Sequence, residues 1–206
     1  ITAKLVADLL SAAGTDRILT MDLHASQLQG FFDVPVDHLF AAPVIMDYVS
    51  KLRLPNLTVV SPDAGGVERA RAYAKRLDAA LAIVDKRRDT PNVAEVHRVV
   101  GEVEGRTALI VDDIVDTGGT LAKVAEAVKR AGAREVLASS SHAVLSGDAL
   151  RKIEASPLSK LIVTDSMPLG EEKSRSEKVV VLSVGELLAK AIRNIHEEAS
   201  VTSLFV

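Results

Sequence analysis

Apolar residues along this 206-residue chain fall into two alternating patterns, short unbroken runs and stripes at three-four spacing. The first is the mark of strands buried on both faces and the second of helices buried along one. Runs at residues 57–61, 80–86, 108–111, 135–140, 160–164 and 178–182 predict strands, and residues 17–23 read as a further β-like run. Stripes predict helices over residues 1–13, 42–52, 148–153 and 184–195, and after each of two glycine pairs, Gly65-Gly66 and Gly118-Gly119. In the first of these two, Val67, Ala70, Ala74 and Leu77 are expected inside, with Arg69, Lys75, Arg76 and Asp78 in solvent. In the second, Leu121, Val124, Ala125 and Val128 face inward and Lys123, Glu126, Lys129 and Arg130 outward. Residues 37–40 lead into the helix that begins at Ala42. Residues 96–103 and 106–111 read as a hairpin around Glu104-Gly105, and residues 141–147 as a loop in which His142 has no partner that spacing can name. Strand alternating with helix is the pattern of a parallel-sheet α/β fold with helices on both faces.

Composition narrows the function classes. Hydrophobic residues make up 48% of the chain and aromatics 3%, so the core is expected to be aliphatic. A net charge of −3 gives no footprint for nucleic acid. The absence of cysteine excludes disulfides and thiolate metal sites and fits a reducing compartment. No apolar run approaches a membrane span, and the start lacks the shape of a signal peptide, so a cytoplasmic protein without membrane partners is expected. The chain opens inside an amphipathic helix, with Leu5, Val6, Leu9 and Leu10 on one face. It is therefore expected to lack a preceding segment.

The chemistry concentrates in Ala108–Thr120, ALIVDDIVDTGGT, where a buried run meets two acids, a glycine break and a helix start. Glycines allow a tight turn and let an anion approach peptide N–H groups. The helix start, with the hydroxyls of Thr117 and Thr120, favours the same anion. Asp112 and Asp113 accept hydrogen bonds or bind cations, so a phosphate cradle beside them suits a sugar phosphate. Neither a P-loop lysine nor G-x-G-x-x-G is present. A plain strand-to-helix turn with solvated acids remains the alternative. Ser61–Gly66, SPDAGG, repeats the logic, and two glycine-rich helix starts suggest two anionic groups bound together. Asp63 there is either an oxygen ligand for magnesium or the acceptor of an Asx-turn or cap. His24 stands at a strand end, as a ligand or as a histidine satisfied by backbone. Lys86, Arg87 and Arg88 precede Pro91 and Asn92 and form either a functional loop or a solvated basic turn.

Three stretches carry a resemblance: VDDIVDTGGT, SPDAGG and MDLHASQLQGFF at Met21–Phe32. The first resembles the phosphoribosyl-diphosphate loop of type I phosphoribosyltransferases. Together, in order and over essentially the whole chain, they resemble the ribose-phosphate pyrophosphokinase family. That resemblance implies an α/β fold with one phosphoribosyltransferase-like domain at residues 41–185, carrying the sugar-phosphate loop. Residues 1–40 would end an incomplete second domain of the same kind, on which residues 186–206 pack back. It implies transfer of the diphosphoryl group of ATP to the 1-hydroxyl of ribose 5-phosphate, with magnesium. Asp116, Thr117, Gly118, Gly119 and Thr120 would hold the 5-phosphate, and Asp112 and Asp113 the ribose hydroxyls. His24, Asp63, Gly65 and Gly66 would hold the nucleotide's diphosphate, His24 and Asp63 on the metal side. Lys86 and Arg88 would be catalytic, as cations on developing charge.

Ser26, Gln29, Asp37 and Ser200 match positions that relatives use for nucleotide and phosphate regulation between subunits, in dimers grouped into hexamers. One departure is His38, where the family often has asparagine. Two other readings remain, a phosphoribosyltransferase that consumes the product and a catalytically silent regulatory homologue.

Overall fold

A computed structural model describes residues 2–87, 96–171 and 175–205 and divides the chain into two compact units. One is Val44–Ser183; the other joins Ile1–Pro43 with Val184–Val206.

The larger unit is built on seven strands in the order β5-β4-β3-β6-β7-β8-β9: β3 Leu57–Ser61, β4 Ala80–Arg87, β5 Val96–Val100, β6 Thr107–Val115, β7 Glu135–Ala143, β8 Lys160–Thr164 and β9 Val179–Leu182. All neighbours are parallel except β4 and β5. Parallel strands buried on both faces need continuous apolar runs, and β6 supplies one, with Ala108, Leu109, Ile110 and Val111 fully buried. Helices α3 (Val67–Arg76) and α4 (Gly119–Arg130) follow β3 and β6, and α5 (Ala149–Ala155) follows β7. The inward stripe of α4 is as expected, with Leu121, Val124, Ala125 and Val128 joining Ile110, Val136 and Leu161 in one aliphatic core. Successive strands run outward from β3 to β4 and β5, then restart at β6 and run the other way. The switch point therefore lies between β3 and β6, where open α/β sheets bind ligands at the carboxyl ends of their strands.

Two expectations fail here. Residues 96–103 do not pair with β6; β5 lies antiparallel to β4 at the sheet edge, with Arg98 and Val100 exposed. Gly101 explains the exit: its φ is +117°, and any side chain there would meet the Ala82 backbone at 2.8 Å. The chain leaves β5 and crosses over, the Gly105 N–H bonding the Gly132 carbonyl and the Thr58 hydroxyl bonding the Glu102 carbonyl. The supposed loop at 141–147 is also partly strand, because β6 runs on past its acids and pairs Ile114 with His142 and Val115 with Ala143. His142 does find a partner, the Ser166 hydroxyl at 2.9 Å from Nδ1.

In the smaller unit, β1 (Ile18–Met21) pairs in parallel with β2 (Val36–Leu39). That second strand is hidden in the sequence by its polar Asp37 and His38. Both are accounted for locally: Asp37 takes a two-pronged bond from Arg17, and His38 Nε2 accepts the Leu23 N–H at 2.9 Å. Helix α1 (Thr2–Ala12) buries only Ala7, while Leu5, Val6, Leu9 and Leu10 are exposed. Helix α6 (Gly185–His196) buries Leu187 and Ala191 and leaves Ile192 in solvent. Helix α2 (Ala42–Lys51) spans the division between the units.

Candidate functional site

The two glycine loops leave neighbouring parallel strands at the carboxyl edge of the sheet, β3 and β6 being paired with Val60 opposite Ile110. Each loop opens a helix, so each presents N–H groups that lack an intrahelical acceptor.

At the end of β6 the turn is made by Gly118, whose φ of +69° is left-handed. A Cβ there would lie 3.1 Å from the Ala149 carbonyl oxygen, so both backbone shape and neighbours select glycine. The loop is held from outside by the β7–α5 connection. The Ser146 N–H bonds the Asp116 carbonyl at 3.0 Å, the Ser146 hydroxyl bonds the Asp116 carboxylate, and Lys152 Nζ reaches the Thr117 carbonyl at 3.2 Å. Asp116, Thr117 and Thr120 remain exposed. Hydroxyls and helix N–H groups are thus open to a ligand while the backbone behind them is pinned.

Asp112 and Asp113 are the last acids on β6, and they differ. Asp113 is buried, at 3% exposure, while Asp112 keeps about a quarter of its side chain accessible, 27%. Both face one guanidinium. Arg69 Nη2 lies 3.2 Å from Asp113 Oδ2 and Nη1 lies 3.7 Å from Asp112 Oδ1. Burial pushes the Asp112 carboxyl up to about 7; the hydrogen bond and charge of Asp113 add to this, and Arg69 pulls the other way. Arg69 is thus a site residue that the sequence pattern placed in solvent. It lies on the turn of α3 next to the switch point, which helical periodicity alone cannot show.

The β3 loop closes on itself. Asp63 Oδ1 accepts the Gly66 N–H three residues on at 2.9 Å, a capping bond of the kind its second reading named, and the Ser61 hydroxyl donates to the Asp63 carbonyl at 2.7 Å. A Cβ on Gly66 would come within 2.9 Å of Ser61 Oγ. The Asp63 side chain is exposed, so its second oxygen still faces solvent as a hard donor. Among the described residues no cluster of three or more His, Asp or Glu forms a ready cation cage. Magnesium suits such a place, since it is held by one or two carboxylates, waters and substrate phosphates.

The remaining predicted residues are distributed as follows. Asp112, Asp113, Asp116, Thr117, Gly118, Gly119, Thr120, Asp63, Gly65 and Gly66 all lie at the β3–β6 edge of the larger unit. Lys86 lies on β4, next to β3, but its side chain and the whole of Arg88 fall outside the described residues. His24, Ser26, Gln29, Asp37 and Ser200 belong to the smaller unit. There Ser26 begins a 3-10 turn, Ser26–Phe31, and His24 is exposed just before it. The Gln29 amide lies 3.2 Å from His38 Nδ1, and the Ser200 carbonyl is capped by Asn194.

Comparison with known proteins gives a consistent picture. The family described as phosphoribosyl synthetase-associated domain matches residues 88–206. A ribose-phosphate pyrophosphokinase of Neisseria meningitidis serogroup A is 52% identical over 205 residues, which cover 100% of this chain and 63% of that protein. Ribose-phosphate pyrophosphokinase 1 of Listeria monocytogenes is 55% identical over 206 residues, 100% of this chain and 64% of its own length. Among solved structures, phosphoribosylpyrophosphate synthetase from Mycobacterium smegmatis superposes with a TM-score of 0.88 at 40% identity, over 96% of this chain and 64% of that one. The chain thus spans less than two thirds of the length of these relatives.

Proposed function

The chain belongs to the family described as phosphoribosyl synthetase-associated domain, and on that premise we propose that the protein is a ribose-phosphate pyrophosphokinase, making 5-phosphoribosyl 1-diphosphate and AMP from ATP and ribose 5-phosphate. The observation that carries the reading is the pair of glycine-turned helix starts on adjacent strands at the switch point, with an acid pair on one of them.

Asp116–Thr120 would hold the 5-phosphate in the pinned β6 loop. Asp112, the more accessible acid, would accept hydrogen bonds from the ribose hydroxyls, with Asp113 behind it. Gly65 and Gly66 would present N–H groups to the diphosphate, and His24 and Asp63 would stand on the metal side of the nucleotide. Magnesium, when bound, would supply positive charge to the phosphate oxygens. The sugar 1-hydroxyl attacks the β-phosphorus, the bond from that phosphorus to the α–β bridging oxygen breaks, and AMP leaves with that oxygen. The hydroxyl proton passes to solvent. Lys86 and Arg88 would offset charge on the moving group, the role cations play in phosphoryl-type transfer.

The larger unit would then be the phosphoribosyltransferase-like domain and the smaller one the end of a second. A cytoplasmic homo-oligomer, in dimers or hexamers, completes the proposal; no described helix is long and apolar enough to cross a membrane. The test is AMP release from ATP by the full-length protein with magnesium, with and without ribose 5-phosphate. Sugar-dependent AMP is expected. ADP in its place, or AMP independent of sugar, would overturn the reading.

A further inference from the structure

We infer that Arg69 is a positioning residue for the sugar: from α3 its guanidinium clamps Asp112 and Asp113, fixing the acid pair that receives the ribose hydroxyls. The inference rests on the proposed function for the identity of the sugar, but the clamp itself rests on geometry alone. Arg69 is partly buried, its side chain 28% exposed, and its two terminal nitrogens each address a different carboxylate, at 3.2 Å and 3.7 Å. A planar fork can do this; a lysine ammonium cannot hold two separate carboxylates in fixed orientation.

The clamp answers a physical difficulty in the acid pair. Two adjacent carboxylates, one of them at 3% exposure, repel each other and lose hydration, so unaided they share a proton. A protonated Asp112 would donate to Asp113 and turn a lone pair away from the ligand. A cation against both lowers the pH at which Asp112 gives up that proton and holds the two carboxylates in one orientation. Asp112 Oδ1 also accepts the Asp113 N–H at 2.9 Å, which fixes that oxygen. Among the described residues, the charged groups acting on Asp112 are Asp113 and Arg69.

Arg69 also links the two loops, because it sits three residues past Gly66 on the helix that the β3 loop opens. Among the described residues its ion pairs are with the two carboxylates, so it acts through the acids.

The experiment compares the full-length protein with Arg69→Gln and Arg69→Lys. Carboxyl carbon NMR titration of the ligand-free protein reads the clamp directly. The Asp112 midpoint should rise in Arg69→Gln and stay near the parent value in Arg69→Lys. In steady-state assays Arg69→Gln should raise KM for ribose 5-phosphate at least tenfold and leave KM for ATP within about twofold. The acid limb of kcat/KM for the sugar should move to higher pH. An unchanged Asp112 midpoint with an unchanged sugar KM in a folded Arg69→Gln protein would overturn the inference. Should Arg69→Gln fail to fold, Arg69→Lys decides alone. It keeps the charge and loses the fork, so a sugar KM raised several-fold supports the clamp and an unchanged one refutes it. Failure of the proposed function would appear separately, as a parent protein without sugar-dependent AMP whose carboxyl titration still shifts.

Discussion

The two glycine loops solve the same problem in different ways. The β3 loop is held by its own residues: Asp63 accepts the Gly66 N–H and the Ser61 hydroxyl donates to the Asp63 carbonyl, two bonds within six positions. The β6 loop relies on a segment some 30 residues later, where Ser146 and Lys152 hold Asp116 and Thr117. A self-closed turn keeps its shape whatever its surroundings do. A cross-braced loop keeps its side chains free, which is why Thr117, Thr120 and the carboxylate edge of Asp116 remain at the surface. The second arrangement suits a group that must be bound by several hydroxyls and N–H groups at once, as a phosphate is.

The contrast breaks most sharply at the glycines. Gly118→Ala combines a left-handed backbone, costing about 1–2 kcal/mol, with crowding against the Ala149 carbonyl that adds about 1–3 kcal/mol. We expect a clearly lower denaturation midpoint in urea and loss of ribose 5-phosphate binding by calorimetry, while diphosphate binding survives. Gly66→Ala has ordinary backbone angles, so only the 2.9 Å approach to Ser61 Oγ opposes it. About 1–3 kcal/mol of destabilisation is expected there, with the reverse selectivity: nucleotide binding falls and sugar-phosphate binding persists. Equal damage to both ligands by either variant would dissolve the distinction between the loops.

A smaller effect follows from Asp112, whose carboxyl is raised from the ordinary range near 4 to about 7. The native state keeps a proton that the unfolded chain gives up. The stability this lends is complete below about pH 4 and is lost as pH rises through 7. Asp112→Asn should therefore melt at a higher temperature than the parent at pH 8, with the difference closing towards pH 4. A pH-independent difference would mean the acid is not held as described. The smallest effect is Ser146→Ala. It removes one hydrogen bond to Asp116, about 0.5–1.5 kcal/mol, and should raise KM for ribose 5-phosphate a few-fold without touching KM for ATP.

Legibility in the sequence follows the same division. Leu57–Ser61 and Lys160–Thr164 are strands at the positions their apolar runs predict, because strands buried on both faces leave an unbroken signal. The α4 stripe and both glycine loops are equally plain, and the capping bond at Asp63 is legible because its donor and acceptor are three residues apart. What could not be read depends on partners far along the chain. Strand β2 is polar at Asp37 and His38 because Arg17 and the Leu23 N–H meet them across the sheet. The pairing of β5 turns on the close approach of Gly101 to Ala82, not on its own alternation. Arg69 looks like any solvent-facing arginine until α3 is laid beside the end of β6. In each case the missing information was the identity of a neighbour, and sequence spacing carries none.

The most direct test of the account is amide hydrogen exchange by mass spectrometry on the full-length protein. It would be run with ribose 5-phosphate, with magnesium and inorganic diphosphate, and with all three. The account predicts that the sugar phosphate protects peptides covering Asp116–Thr120 and that the diphosphate protects those covering Asp63–Gly66. Both protections should appear together in the ternary mixture. Protection of the same peptides by both ligands, or displacement of one by the other, would contradict the assignment of one anion to each loop.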